Sequence, residues 1–233
     1  MTDAVIRRVT TLDLKFEPQA WPWAEAHRAR VEAHFAERRR ERPELWNGRV
    51  LIARDPVFAN GCFSARYFEV DFASFLSWID WGFPDKSVFN SFGMGALRCA
   101  DGAFVMGEMA PHTANAGRIY FPAGTPDTDD IADDRVDIEG NISREIEEET
   151  GLTPADYRGS AHWDCVSVGA ALALIRVLHV DVPGEAMRAR ILANLARQAR
   201  PELSAIHLVR NRSELSAAMP RFITAFMEHE LSS

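Results

Sequence analysis

Residues 144–152 read REIEEETGL, which puts Glu145, Glu147, Glu148 and Glu149 within five consecutive positions. Like charges three and four residues apart destabilise a helix by roughly 0.2–0.5 kcal/mol per pair, so few folds accommodate such a stretch. Gly151 suits the left-handed residue that closes a helix, and Leu152 supplies the apolar contact that accompanies such a cap. Ile138, Ile142 and Ile146 lie four apart and form an apolar stripe along the same helix. At about 100° per residue, Glu145, Glu148 and Glu149 share roughly a third of the circumference beside that stripe, while Glu147 faces solvent. One flank thus docks on a core and the adjacent flank projects three carboxylates into a shared space. Two unit charges about 4 Å apart repel by about 4 kcal/mol at an effective dielectric near 20. On the glutamates alone two outcomes stand: an exposed acidic helix, which is the commoner, or a cation site for Mg²⁺ or Mn²⁺.

The charge map leans toward a cation. The chain of 233 residues carries −8 overall. From Asp127 to Glu149, eleven acidic residues face only Arg135 and Arg144, which leaves that segment at −9 and everything else at +1. Acidity this local points to a cation site more than to general solubility. No basic stripe with interleaved aromatics offers a nucleic-acid surface. An EF-hand loop begun at Asp127 fails, because Ala132 stands where glycine is required. The opening MTDAVIRRVTTLDL has no apolar h-region, and the longest apolar run, Val166–Val180, contains Arg176 and His179. Neither a secretory signal nor a membrane span is expected. Cys62, Cys99 and Cys165 form no C-x-x-C pair and read as reduced packing thiols, consistent with a cytoplasmic protein.

Along the chain, residues 4–14 suggest a strand and 23–42 a helix laced with alternating arginines and glutamates, ending before Pro43. Strands are expected at 48–55 and 62–70, separated by a Pro/Asn/Gly turn, and an aromatic helix at 72–80 that Gly82-Phe83-Pro84 breaks. Past Ser91 come a hairpin around Asp101-Gly102, a short strand at 118–121, the acidic loop and the glutamate helix. Strands at 161–168 and 171–181, a helix at 184–198, a strand at 204–210 and a helix from Pro220 to Leu231 complete the order. Mixed β, α and β without regular βαβ alternation implies an α/β fold, an α/β sandwich around a mixed sheet. A boundary near residue 85 divides an N-terminal α+β extension, 1–85, from a domain at 86–233. The aromatics Trp78, Trp81, Phe83 and Phe89 read as packing residues ahead of a base-stacking platform.

Arg144 to Leu152 resembles the second half of the Nudix box, R-E-U-x-E-E-x-G-U with U apolar, and all seven specified positions match. Phe121-Pro122-Ala123-Gly124 is similar to the F-P-G-G that precedes this helix in many Nudix hydrolases. The resemblance is sharp over 117–152, extends by element order to about 90–210, and does not cover 1–85. It implies a Nudix-type α/β/α sandwich. There are departures. The full box separates its first glycine from its arginine by fourteen positions, and here Gly124 to Arg144 spans twenty. The acidic loop 125–136 therefore reads as an insertion. The box register places Asp130 at a glycine and Val136 at the first glutamate, with Asp137 one residue later as a substitute acid.

The resemblance implies hydrolysis, with Mg²⁺ or Mn²⁺, of a diphosphate linking a nucleoside to another moiety such as a sugar. Glu145, Glu148 and Glu149 would hold the metal, with Glu145, Glu148 and Arg144 as catalytic residues, Arg144 acting by orienting a glutamate. Arg118, His112 and Gly124 are the substrate-binding candidates, and Asp137 a possible extra acid. Asp164, Asp181 and Glu185 are weaker candidates for a general base. Pro111 to Gly124 also resembles coenzyme A pyrophosphatases, but their arginine–serine pair is missing where Met106–Met109 stands, which disfavours that substrate. The expected partner is a small phosphoanhydride, with no nucleic acid and no membrane, and a homodimer is possible. A catalytically inactive Nudix-fold nucleotide-binding module is the alternative, although such modules usually lose box glutamates. A metal-stabilised structural domain is the third reading.

Overall fold

The computed structural model describes residues 3–232. In chain order the strands are β1 Val5–Val9, β2 Thr11–Phe16, β3 Arg49–Ala59, β4 Cys62–Asp71, β5 Val88–Arg98, β6 Phe104–Met109, β7 Ile119–Tyr120, β8 Ile131–Ala132, β9 Arg135–Val136, β10 Arg158–Gly159, β11 Trp163–Val168, β12 Ala171–His179 and β13 Leu203–Val209. The helices are α1 Pro22–Ala26, α2 Arg28–Glu41, α3 Phe72–Asp80, α4 Ile138–Thr150, α5 Gly184–Leu195 and α6 Arg221–Glu230. The fold is mixed α/β. Two compact units share the chain: one takes the chain up to Thr11, Phe92–Gly124 and everything from Ile138 on, and the other takes Leu12–Ser91 and Thr125–Asp137. Strand β5 contributes to both.

In the first unit β1, β11, β12 and β5 lie side by side, and β6 links β5 to β13 and β7. Alternation along β5 sets the layers. Gly93 and Gly95 face α4 so closely that a Cβ on either would come within 2.7 Å of Ile142 or 2.5 Å of Ile146. Phe92, on the opposite face, packs edge-on against Phe222 of α6 with ring centroids 5.4 Å apart. Helices therefore cover both faces, the α/β/α sandwich expected from the sequence. Phe226 meets Phe104 and Phe121 edge-on beneath α6, and each of these three rings is at most 1% exposed. Aromatic packing of this kind anchors a core by area and by edge-to-face geometry together.

In the second unit β8, β9, β2, β4, β3 and the start of β5 follow one another. The β3–β4 ladder closes through Asn60 and Gly61, both at positive φ (50° and 73°), the backbone that a two-residue hairpin turn demands. Strand β3 runs on through Pro56, beyond the expected 48–55, because the ladder shifts register between Arg54 and Val57 and an irregularity accommodates a residue without an N–H. Two further expectations needed refinement. The strand at 4–14 is two strands broken at Thr10, and the helix at 23–42 is two helices broken at His27. Helix α3 begins where expected, capped by Asp71, whose carboxylate accepts from the Ser74 N–H at 2.9 Å. Trp78 is fully buried and donates to the Asp85 carbonyl, so it is a packing residue.

Cys99 and Cys165 are buried, and burial pushes their thiols up to about 11 and about 12. Neither is a nucleophile near neutral pH. No helix among the described residues is long and apolar enough to cross a membrane.

Candidate functional site

Helix α4 is fastened to the sheet by its isoleucines. Ile138, Ile142 and Ile146 are at most 3% exposed, and the glycines of β5 let the helix axis approach. Gly151 follows at φ 74°, and its N–H returns to the Glu147 carbonyl at 2.8 Å. This is the glycine stop that the sequence implied. With the apolar stripe inside, the glutamates divide by angle. Glu147 and Glu148 are exposed, the Glu145 side chain is 15% exposed, and Glu149 is 5% exposed.

Arg144 Nη1 lies 3.1 Å from Glu145 Oε1 and holds that carboxylate from the neighbouring position. Opposite Glu145 stands Gly124, where a Cβ would fall 2.2 Å from the same oxygen. The glycine of Phe121-Pro122-Ala123-Gly124 is thus a space requirement: any side chain here displaces Glu145. Glu149 is held well above its ordinary carboxylate value, first by burial and then by the charges of Glu145, Glu202 and Glu148, while the Ala123 backbone N–H opposes the shift. The Tyr120 hydroxyl is pushed up by burial and by the charges of Glu149, Glu202 and Glu145, and it accepts a hydrogen bond from the Asn115 amide at 3.2 Å.

Glu202, Tyr120 and Asn115 were not foreseen from the sequence. Glu202 reaches the glutamates through pairing of distant segments, its carbonyl accepting from the Ala110 N–H at 2.8 Å just before β13. No motif spacing encodes that. Of the residues that were foreseen, His112 is half-buried and Arg118 exposed, both on the turn between β6 and β7 that also carries Asn115. Asp137 belongs to the other unit, exposed, with its N–H donated to the Asp130 carbonyl at 2.8 Å. The three weaker base candidates are all engaged in ion pairs. Asp164 is 1% exposed and grips Arg8 through two bonds of 2.8 and 3.1 Å, Asp181 pairs with Arg158, and Glu185 with Arg188.

Among the described residues no three His, Cys, Asp or Glu side chains are drawn together closely enough to hold a metal ion as they stand. The donor set is nonetheless of one chemical kind. Glu145, Glu148 and Glu202 offer hard carboxylate oxygens whose charges act on the buried Glu149, which is what a hard divalent cation would relieve.

No protein-family model matches the sequence, and no curated protein does. Solved structures with some likeness include a Nudix hydrolase, RenU, from M. Smegmatis, at 12% identity and TM-score 0.39, over 60% of this chain and 81% of that one. The MutT protein from Methanosarcina mazei Go1 is 18% identical with TM-score 0.36, over 60% and 90%. A bifunctional NMN adenylyltransferase/ADP ribose pyrophosphatase from Francisella tularensis is 13% identical with TM-score 0.40, over 68% of this chain and 44% of that one. Nothing about substrate or metal passes from likenesses this distant to the present chain.

Proposed function

We propose that the chain is a Mg²⁺- or Mn²⁺-dependent hydrolase of phosphoric anhydrides, cleaving with water the diphosphate that joins a nucleoside to a sugar or similar group. The observation that carries this reading is Glu149, a buried carboxylate in the field of Glu145, Glu202 and Glu148, opposed by the Ala123 backbone N–H. A purely structural helix gains nothing from such a placement, since burying a charge without a cation costs several kcal/mol. The seven matched box positions of Arg144–Leu152 supply the same inference from the sequence.

Glu145, Glu148 and Glu149 would hold the ion, which when bound offsets substrate charge and acidifies water. The chain's own residues divide the remaining tasks. Arg144 fixes the orientation of Glu145 by a charge-assisted hydrogen bond. Gly124 keeps the space before that carboxylate clear. Tyr120 stays protonated and can donate to a phosphate oxygen. Glu148 and Glu202 are exposed and so accessible to water as proton acceptors. Arg118 and His112, on the turn that holds Asn115, are the cationic candidates to meet phosphate charge.

Phosphate-coupled hydrolysis tests the reading, with nucleoside diphosphate sugars, ADP-ribose, dinucleoside polyphosphates, nucleoside triphosphates and coenzyme A, in Mg²⁺ and in Mn²⁺. Glu148→Gln serves as the control. Rapid cleavage of one compound with a dead control establishes enzyme and substrate together. Binding of nucleotides without turnover in any condition replaces the enzyme with an inactive nucleotide-binding module.

A further inference from the structure

Helix α4 has a second working flank, turned away from the carboxylates. A cleft of about 160 Å³ opens there, between Glu139, Ile142 and Ser143 of the helix, Tyr157 and Gly159 of the following segment, and strands β11 and β12. Its floor is apolar: Ile142, Leu178 and Trp163 are buried. Its wall is cationic. Arg176 donates from Nε to the Ser160 carbonyl at 3.1 Å, and its guanidinium sits 5.2 Å from the Trp163 ring centroid, within cation–π range. Gly159 makes room for it, since a Cβ there would come 2.7 Å from Arg176 Nε. Arg176 is thus held by backbone, ring and a missing side chain.

Its acidic partner is not held in this way. Nη1 pairs with Glu139, whose side chain is 67% exposed against 20% for Arg176. An exposed partner contributes little and is readily exchanged for another anion. The Tyr157 hydroxyl donates to Ser143 Oγ at 3.3 Å, and Ser143 Oγ donates in turn to the Glu139 carbonyl, so the polar rim is ordered without Glu139's carboxylate.

We infer that this cleft is a binding site for a small aromatic or similarly flat apolar carboxylate. Its carboxylate displaces Glu139 from the planar fork of Arg176, and its ring lies on Trp163, Leu178 and Ile142. The size agrees, because an apolar cavity of about 150 Å³ accommodates benzene, and a guanidinium prefers a bidentate carboxylate. The site is independent of any chemistry at Glu145, Glu148 and Glu149.

Benzoate is the probe, titrated against the full chain by ligand-observed NMR, with benzyl alcohol as its neutral counterpart and inorganic phosphate as the anion without a ring. The expected result is saturable benzoate binding that benzyl alcohol and phosphate do not match. Arg176→Leu abolishes it, whereas Glu139→Gln, which removes the competing carboxylate, strengthens it by about two- to fivefold. Glu139 is exposed, so Glu139→Gln leaves the fold intact and keeps the test valid if Arg176→Leu proves unstable. Benzoate binding that is absent, or unchanged in Glu139→Gln, overturns the inference. Benzyl alcohol binding as well as benzoate overturns the role of Arg176, and phosphate binding as well overturns the role of the ring.

Discussion

Two neighbouring stretches of the chain are acidic, with six acidic residues in 125–137 and five in 138–150, and they have opposite fates. In the loop 125–137 two of the acids, Asp127 and Asp130, are answered by backbone. Asp127 accepts from the Asp129 N–H at 2.8 Å, and Asp130 accepts from the Asp127 N–H at 3.0 Å, a reciprocal cap on the short turn Thr128–Asp130. Arg135 at the base of the loop pairs with Asp13 at 2.7 Å. In helix α4 the backbone N–H groups are already committed to the helix, so the glutamates cannot be satisfied in that way. Arg144 reaches Glu145, but Glu149 lies buried with a backbone N–H working against three neighbouring negative charges. Acidity that organises a turn and acidity left among like charges differ in who supplies the donors.

The largest test of that contrast is Glu149→Gln. The amide keeps an acceptor for the Ala123 N–H and removes the charge. Hydrolysis should fall by about 10²–10⁴-fold, the range for losing a group that acts in the transition state. Stability should move the other way in metal-free protein. Because the folded-state pKa of Glu149 is raised, its contribution is fully present below the ordinary carboxylate value near 4.5 and is lost as pH rises through the folded value. In EDTA the variant should therefore melt above the parent at pH 8 and level with it at pH 4. A variant that melts lower at pH 8 removes the argument for an unanswered charge.

The second test is Ile146→Ala, at the fully buried C-terminal end of the stripe. A loss of about 2–5 kcal/mol in denaturant unfolding is expected, as for a truncated core isoleucine. A much smaller loss would mean that α4 is not held by its apolar flank and that its glutamates are merely displayed on the surface.

What the sequence made legible follows the same division. The glutamate helix, its glycine stop and its isoleucine stripe were readable because period and cap are local. So was the α/β order of the strands and helices. The partition of the chain was harder: a single cut near residue 85 is a linear idea, while the units exchange segments, with 125–137 joining the 12–91 stretch. Glu202 was invisible for a related reason, since it meets Glu149 only after β13 has paired with β6. The base candidates Asp164 and Asp181 looked available in the sequence because their arginines, Arg8 and Arg158, cannot be matched to them without the fold, whereas Glu185 and Arg188, three apart on one helix, are a local pair that the sequence already contained.

On the loop side, Asp127→Ala should cost about 1 kcal/mol, the usual loss of a helix-capping side chain, with turnover unchanged. Urea melts and steady-state rates on the same sample check both halves. A large loss of activity at constant stability would move the loop from scaffold to site and erase the contrast.

The smallest expected effect concerns an acid just beyond the helix, Asp156, which shares features of both cases. It accepts from the Thr153 N–H and hydroxyl at 2.8 and 3.1 Å, as a loop acid would, and also pairs with Arg190 of α5 at 2.8 Å. The Arg190 bond, followed by the Thr153 N–H, holds its carboxyl down at about 2. A depressed value means that its stabilisation is present above the ordinary carboxylate value and disappears as pH falls toward 2. Asp156→Asn keeps an acceptor for Thr153 and loses only the charge. The variant should therefore be less stable than the parent at pH 6 by under about 1 kcal/mol, since the pair is largely solvated, and the two should converge between pH 4 and about 2. Convergence from the opposite side, with the variant more stable at pH 6, would show that the Arg190 pair does not answer Asp156. The rule that donors decide the fate of an acid would then fail at its simplest case.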